Sequence, residues 1–303
     1  MSFRSFQTTL TSSQTLLPVI VLLVAMTSIQ GGAALAKSLF PSAGATGITA
    51  LRLGIGTLIL SLIFKPWRLR FTAQQRKALI FYGLALGAMN YLFYLSIRTV
   101  PLGVAVALEF TGPLSLALFG SRRASDFIWV LLAVLGLWWL LPLGHTLSHV
   151  DPLGAALAVG AGACWAIYIL AGQRAGADHG PATVAMGSII AAVIFVPLGV
   201  AFAAEGIWQL SLLPIALAVA ILSTALPYSL EMVALTRLPA RTFGTLMSLE
   251  PAMAALSGML FLGESLNLMQ WLGLLAIVLA SAGSTLTSRP RGASVAPSGE
   301  PAE

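Results

Sequence analysis

Residues 101–113 read PLGVAVALEFTGP, and residues 239–251, which lie 138 positions later, read PARTFGTLMSLEP. Each stretch begins and ends with proline at the same spacing, and the correspondence continues as far as Gly120 and Gly258. This match predicts that the chain consists of two related halves. The first stretch also raises a question, because Glu109 stands inside an otherwise apolar run.

The composition indicates that the chain is surrounded by lipid. Of its 303 residues, 58% are hydrophobic and only 9% are charged, and the mean hydropathy is +0.92. A soluble domain carries about 25% charged residues, so this chain could not cover a surface that faces water. The net charge of +6 comes from short basic loops, which favours a membrane surface over nucleic acid. The single cysteine, Cys164, excludes an internal disulfide and is expected to be a packing residue.

A helix needs about 20 apolar residues to cross the hydrocarbon core, and ten stretches of the chain meet this requirement. They are 16–36, 45–64, 78–97, 102–120, 127–143, 153–172, 181–203, 212–234, 241–262 and 269–287. If the N-terminus is cytoplasmic, 13 of the 16 Lys and Arg residues lie on the inner side. Lys37 and Arg98 lie outside, and Arg52 lies within a span. This asymmetry predicts that both termini are cytoplasmic.

The predicted fold is an all-α membrane protein with ten transmembrane helices in two inverted five-helix repeats. Residues 16–143 form the first repeat and residues 153–287 the second, which must be inverted because five is an odd number. Residues 1–15 are expected to form a cytoplasmic tail, and residues 288–303, rich in Pro, Gly and Ser, a disordered cytoplasmic tail. Inverted repeats are typical of secondary transporters, which bind substrate near the midplane where the halves meet.

Three acidic residues, Glu109, Glu231 and Glu250, lie within the predicted spans. Ionisable residues in the membrane are costly and usually mark substrate pathways or proton relays, so these three are candidates for proton coupling. Glu109 and Glu250 fall in the middle third of their spans, about 10 Å and about 13 Å from the nearer face at 1.5 Å per residue. Pro113 removes the helical hydrogen bond to the Glu109 carbonyl, so a carboxylate and a freed carbonyl are expected at one level.

Arg52 also lies within a span, and two interpretations of it stay open. Its guanidinium suits a substrate carboxylate, with Glu109 binding the substrate ammonium. Alternatively, Arg52 and Glu109 neutralise each other. Other polar and aromatic residues lie at similar depths on several spans, which favours a shared cavity over isolated interhelical hydrogen bonds. The predicted substrate-binding residues are Glu109, Arg52, Gln30, Asn90, Tyr94, Trp165, Tyr168 and Tyr228.

The sequence carries few signals for an enzyme or a cofactor. His145, His149 and Asp151 have the spacing of metal ligands, but one short loop offers no enclosure for a metal. No histidine lies in a predicted span, so a hydrolase would lack its base. The phosphate-binding pattern GxxxxGK[ST] is absent from the sequence. We therefore expect no enzymatic activity, no metal, no nucleic-acid ligand and no obligate protein partner, with the proton gradient as the energy source.

Four stretches resemble a known family. They are LLVAMTSIQGGAALAKSLFP (22–41), FYGLALGAMNYLFYLSIRTVPLGVAVALEFTGPL (81–114), GAGACWAIYILAGQRAGADHGPATVA (160–185) and STALPYSLEMVALTRLPARTFGTLMSLEPA (223–252). They resemble EamA-domain transporters of the drug/metabolite transporter superfamily, and among these the bacterial inner-membrane exporters of small amino acids. The likeness extends from about residue 16 to residue 287.

The resemblance implies proton-driven efflux of threonine, homoserine and related amino acids across the bacterial inner membrane. It assigns no role to individual residues, so the candidate sites depend on the physical argument above. A passive amino-acid or metabolite facilitator, an exporter of another small metabolite, or a subunit of a larger membrane complex would also account for polar residues within the spans.

Overall fold

A computed structural model describes residues 3–119, 126–140, 151–175, 181–237 and 246–287. These residues form helices joined by short connections, and no strand occurs among them. The helices are α1 (Phe3–Ser38), α2 (Phe40–Phe64), α3 (Ala73–Ser96), α4 (Leu102–Glu109), α5 (Thr111–Phe119), α6 (Asp126–Leu140), α7 (Pro152–Ala175), α8 (Pro181–Ala201), α9 (Leu213–Ala220), α10 (Leu226–Arg237), α11 (Glu250–Leu262) and α12 (Leu268–Thr287). A π-turn (Ile221–Ala225) joins α9 to α10, and short 3₁₀ turns occupy Pro66–Arg68, Glu205–Trp208 and Leu210–Leu212.

Six helical segments are long and apolar enough to cross a membrane: Leu17–Ser38, Phe40–Phe64, Ala73–Ser96, Pro152–Gly172, Ala182–Ala201 and Leu210–Glu231. Shorter apolar helices occupy Leu102–Leu116, Glu250–Leu262 and Leu268–Gly283. The prediction of an all-α membrane protein is therefore confirmed, while ten spans in two inverted repeats stay a prediction. The first helix starts at Phe3, within the predicted tail. The tail at 288–303, His145, His149 and residues 241–245 of the ninth predicted span lie outside the described residues.

Local sequence signals explain where α3 begins and why α2 is kinked near its start. Thr72 caps α3, because its hydroxyl accepts from the Gln75 N–H while the Gln75 side chain accepts from the Thr72 N–H, which is a capping box. Helix α2 is kinked at Gly44, whose φ of 73° lies in the left-handed region that favours glycine. The kink lets the Ala43 carbonyl accept from the Ala204 N–H at 3.0 Å, so the start of α2 is tied to the chain after α8.

Three helices are interrupted next to a proline. A turn at Phe110 separates α4 from α5, three residues before Pro113, and a turn at residues 248 and 249 precedes α11, which begins at Glu250. The π-turn at Ile221–Ala225 ends two residues before Pro227. Proline removes one helical hydrogen bond and crowds the preceding turn, so the interruptions follow from the sequence.

The helices pack mainly across the sequence midpoint. Helix α3 runs along α7 and α8, α2 along α8, α6 along α12, α1 along α10 and α11, and α4 along α7 and α11. Small residues allow the closest of these approaches, since an added Cβ on Gly103 would overlap Ala255 and one on Gly112 would overlap the Gly162 carbonyl. Such contacts are typical of packing between membrane helices. The largest apolar cluster joins both parts of the chain and surrounds α4.

Candidate functional site

Arg52 is the centre of the first group of candidate residues. Its side chain is buried, with 6% of the residue exposed. The guanidinium donates from Nη1 and Nη2 to Asn90 Oδ1, at 2.9 and 2.5 Å, and from Nε to Thr224 Oγ1 at 3.1 Å. It also lies over the Tyr94 ring, 4.9 Å from the centroid, which is a cation–π distance.

Helix α3 fixes the orientation of the amide that Arg52 binds. Asn90 Nδ2 donates to the Leu86 carbonyl one turn earlier, at 2.7 Å, so Oδ1 is left to face Arg52. The other neighbours of the guanidinium, Thr224, Tyr94 and Tyr228, are uncharged as well. Within the described residues no carboxylate lies within 4.0 Å of Arg52, because the single ion pair found there joins Lys37 to Glu264.

Glu250 and Gln30 form a second group, between α11 and α1. Gln30 Nε2 donates to Glu250 Oε1 at 3.2 Å, and both residues are buried. The other carboxylate oxygen, Oε2, is buried without a hydrogen-bond partner in the described part of the chain. Glu231 and Glu109 are electrostatic neighbours of Glu250, so the three predicted coupling residues lie in one region.

Glu109 connects the two groups. It ends α4 and is buried, with 7% of the residue exposed, and it interacts electrostatically with both Arg52 and Glu250. It does not form a direct ion pair with Arg52, because no cation lies within 4.0 Å of it in the described ranges. Its backbone carbonyl, freed by Pro113, faces Gly162 of α7 at a distance that leaves no room for a Cβ there.

The remaining predicted residues lie around this centre. Tyr168 stacks on Tyr82 with 4.6 Å between ring centroids, and the Tyr82 hydroxyl donates to the Tyr168 hydroxyl at 3.1 Å. Both rings are electrostatic neighbours of Tyr228, which links them to Arg52. Trp165 packs edge-on against Phe110, at 5.6 Å. Tyr168 and Trp165 therefore line the periphery and do not contact the guanidinium.

The outer end of the helices, as the sequence predicts it, carries an ion pair that the sequence did not indicate. Lys37 Nζ, at the end of α1, donates to Glu264 Oε1 at 2.5 Å and to the Val100 carbonyl at 3.0 Å. The Leu102 N–H at the start of α4 donates to Glu264 Oε2 at 2.7 Å. Since α11 ends shortly before Glu264, three helices are tied together at this point.

An open groove of about 550 Å³ lies at the same end. It is bounded by the start of α2, the end of α3 and the chain that follows α8. Arg98 provides its cation, and Phe40, Tyr91 and Phe202 provide aromatic walls. None of the predicted binding residues lines it, so the groove and the buried groups around Arg52 are separate features. In the described ranges no cluster of three His, Cys, Asp or Glu residues could hold a metal.

Thr224 and Tyr82 lie at this centre but are not among the predicted substrate-binding residues, although Thr224 belongs to the polar residues at central depth in its span. Thr224 is one of several polar residues in its span, and only the fold brings it to Arg52, 172 positions away. Tyr82 lies nearer the start of its predicted span, 78–97, than Asn90 and Tyr94 do. A preference for polar residues next to Pro227 could have indicated Thr224.

The fold and the buried charged centre are those of a membrane transporter, and the comparisons agree. Residues 152–286 match the EamA-like transporter family. A solved structure, titled "Crystal structure of protein", shares the fold with a TM-score of 0.60 at 18% sequence identity, over 91% of this chain and 97% of that chain.

Two curated relatives are much more similar in sequence. The Threonine/homoserine exporter RhtA of Escherichia coli (strain K12) is 72% identical over 273 residues, which is 90% of this chain and 92% of that protein. The protein of the same name from Salmonella typhimurium (strain LT2) matches with the same identity and coverage. The chain therefore belongs to the EamA-like transporter family, a family of multi-pass membrane transporters and not of enzymes.

Proposed function

We propose that this protein is a secondary active exporter of small amino acids, with threonine and homoserine as its substrates, in the bacterial inner membrane. The relatives at 72% identity are named threonine/homoserine exporters, which supports the export of these amino acids. The observation that carries the proposal is the buried Arg52 guanidinium, which has neutral partners only in the described residues. A buried charge without a counter-charge costs several kcal/mol, and a substrate carboxylate would remove that cost.

The chemistry of the neighbouring residues fits an amino-acid zwitterion. In the proposal the substrate carboxylate binds Arg52, and its ammonium binds Glu109, an electrostatic neighbour of Arg52 that lacks an ion-pair partner in the described ranges. Asn90, Tyr94 and Tyr228 surround the guanidinium and would bind the hydroxyl that threonine and homoserine share. Gln30, Trp165 and Tyr168 would form the outer wall of the pocket.

The proposed architecture is ten spans in two inverted five-helix repeats, at 16–143 and 153–287, with both termini cytoplasmic. The helix interruptions support it, since Phe110 and residue 248 are separated by the same 138 positions as the prolines. The packing supports it too, because pairs such as α3 with α7 and α1 with α10 correspond to each other when the halves are exchanged. Alternating access would then follow from movement of one half against the other.

We assign the energy source to the proton gradient, without a cofactor. Glu250 supports this assignment best, because it lies beside two further carboxylates and is held by the amide of Gln30. In the proposal, a proton that enters from outside is exchanged at this carboxyl group as substrate leaves. Glu109 and Glu231 are the alternative carriers.

Counterflow of radiolabelled threonine into proteoliposomes that contain this chain alone tests the proposal. We expect saturable counterflow that homoserine inhibits, and uphill movement that stops when an uncoupler removes the proton gradient. Movement that follows the threonine gradient and ignores the uncoupler would identify a passive facilitator instead. Absence of any threonine flux would contradict the proposal.

A further inference from the structure

Thr224, which is not among the predicted binding residues, binds Arg52 from the opposite half of the chain. Arg52 lies on α2, and Thr224 lies in the π-turn between α9 and α10. The Thr224 hydroxyl accepts from Arg52 Nε, and its methyl group is close enough to Gly56 that a Cβ there would overlap it. Thr224 is itself buried, with 2% exposed.

The π-turn that carries Thr224 is fixed by α1. Ser28 Oγ donates to the Leu222 carbonyl at 2.7 Å, and a Cβ on Gly32 would overlap Ser223. Ser223 in turn donates to the Val219 carbonyl at 2.6 Å. A π-turn often marks a functional site in a helix, and here it sets the position of one hydroxyl against one nitrogen of Arg52.

We propose that Thr224 is a positioning residue that aims the Arg52 guanidinium at the substrate carboxylate. The inference rests on the proposed function. With Nε held by Thr224 and both terminal nitrogens held by Asn90, the guanidinium plane cannot rotate, and the second N–H of each terminal nitrogen keeps a fixed direction. A guanidinium that is fixed in this way loses less conformational freedom when it binds a planar carboxylate.

Two isosteric substitutions separate this role from packing. Thr224→Val keeps the branched shape against Gly56 but removes the acceptor, whereas Thr224→Ser keeps the acceptor and removes the methyl group. We expect Thr224→Val to raise the KM for threonine counterflow about 10-fold, as for a lost hydrogen bond to a charged group, with the maximal rate nearly unchanged. Thr224→Ser should retain the wild-type KM.

The outcomes distinguish this inference from the function on which it rests. A wild-type KM for Thr224→Val, or an equal defect in Thr224→Val and Thr224→Ser, would overturn the positioning role. If Arg52→Gln is still defective in that case, the proposed function of Arg52 is unaffected. Wild-type transport by Arg52→Gln would instead overturn the role of Arg52 in the proposed function. The quantity of each variant in the membrane and its elution as a single species are measured alongside, so that misfolding is recognised.

A separate observation concerns the ion pair at the outer end. Lys37 and Glu264 have side chains that are 19% and 15% exposed, and their contacts join the end of α1, the start of α4 and the chain after α11. The contact lies between the two halves, since Lys37 and Glu264 are 227 positions apart. An exporter that releases substrate outward must separate its halves at this end.

The geometry also points to the Lys37–Glu264 pair as the outer latch, which closes the exit and breaks when the substrate is released. Each residue of the pair also makes a second hydrogen bond. Lys37 Nζ also binds the Val100 carbonyl, and Glu264 also binds the Leu102 N–H at the start of α4. Opening therefore has to break several contacts together, which makes the latch a two-state element.

Cross-linking tests the latch directly. Lys37→Cys and Glu264→Cys are combined in a Cys164→Ser background, which removes the single native cysteine, and are joined by a short bifunctional thiol reagent. We expect cross-linking to stop threonine counterflow almost completely, while each single-cysteine variant treated in the same way stays active.

Full counterflow by the cross-linked protein would overturn the latch while leaving the proposed function intact. If the untreated double variant is inactive, the exchange variant Lys37→Glu with Glu264→Lys decides the question. It restores an ion pair, so the latch predicts more transport than either single charge reversal gives, and absence of such recovery overturns it. Failure of the wild-type protein in the same liposomes would instead contradict the proposed function.

Discussion

Two cations of this protein, the partly buried Lys37 and the buried Arg52, have opposite surroundings. Lys37, at the outer end, has a carboxylate at 2.5 Å from Glu264 and a backbone carbonyl at 3.0 Å. Arg52, deeper in the helix bundle, is bound by an amide, a hydroxyl and an aromatic face. Both charges lose part of their hydration in the folded protein, but only Lys37 forms a direct ion pair within the described residues.

The difference indicates which cation belongs to the scaffold and which belongs to the substrate. A buried charge is tolerated when an opposite charge and hydrogen bonds replace its hydration, and at Lys37 the chain supplies both. At Arg52 the chain supplies hydrogen bonds, while its electrostatic neighbour Glu109 lies beyond ion-pair distance in the described residues. The missing charge is what an amino-acid carboxylate would bring.

The largest effect is expected when the Arg52 guanidinium is removed. Arg52→Gln removes the positive charge to which the substrate carboxylate is proposed to bind, so threonine counterflow should fall about 100-fold, as when one partner of a buried charged contact is lost. Arg52→Lys, which keeps the charge but loses the fork, should retain part of the activity. Measurement of initial counterflow rates at equal protein density checks both. Equal rates for Arg52→Gln and wild type would remove Arg52 from the site.

Glu250→Gln is expected to separate transport from its energy source. The amide cannot take up a proton, so uphill threonine movement driven by a pH gradient should be lost, while counterflow without a gradient should continue. Glu231→Gln tests the alternative carrier at an electrostatic neighbour of Glu250 that is less buried, and it should keep gradient-driven transport if Glu250 is the carrier. Gradient-driven transport by Glu250→Gln at the wild-type level would exclude Glu250 as the proton carrier.

A packing change tests the scaffold with a smaller effect. Gly112→Ala would place a methyl group against the Gly162 carbonyl, and overpacking of this kind costs about 1–3 kcal/mol. We expect a melting temperature in detergent that is several degrees lower. Gly160→Ala on α7 is the control, because its added Cβ would lie 3.5 Å from Leu92, an ordinary contact. If Gly112→Ala and Gly160→Ala had the same melting temperature, the close approach of α5 and α7 would be contradicted.

The smallest effect is expected at Asp151, which caps α7 outside the predicted membrane spans. It accepts from the Thr99 hydroxyl at 2.9 Å and from the Gly154 and Leu153 N–H groups at 3.0 and 3.3 Å. The Thr99 hydroxyl, together with the backbone donors, lowers the pKa of Asp151. Asp151→Asn should leave threonine counterflow unchanged and reduce thermal stability only slightly.

The pH dependence of this small effect has a definite sign. A lowered pKa in the folded state stabilises the protein above the unfolded-state pKa, about 4, and this contribution disappears as the pH falls through the folded-state pKa. The difference in melting temperature between Asp151→Asn and wild type should therefore be present at pH 7 and shrink in acid. A difference that grew in acid would contradict the capping role.

The sequence predicted the features that depend on local pattern. Apolar length indicated the spans, so the predicted 45–64 and 181–203 correspond to helices Phe40–Phe64 and Pro181–Ala201. Proline position indicated the break near Glu109, where α4 gives way to α5. Helix ends were less accurate, because Pro41 near the start of α2 and the cap at Thr72 extend helices beyond their most apolar residues.

Side-chain pairing between distant helices could not be predicted in this way. Gln30 and Glu250 are 220 positions apart, and Lys37 and Glu264 are 227 apart, so their contacts depend on the packing of whole helices. Rotation of α1 by a quarter turn would move Gln30 away from Glu250 without changing the apolar pattern of the span. Gln30 was therefore predicted as a binding residue from its polarity alone, whereas Lys37 contributed only to the charge asymmetry that predicts the orientation.

Competition by a substrate analogue without a carboxylate tests the central claim most directly. Threoninamide keeps the ammonium and the hydroxyl of threonine but has no negative charge for Arg52. In wild-type proteoliposomes, unlabelled threonine and homoserine should inhibit counterflow of labelled threonine, and threoninamide at the same concentration should not. Inhibition by threoninamide as strong as that by threonine would show that no carboxylate is recognised, and the assignment of Arg52 to the substrate would be wrong.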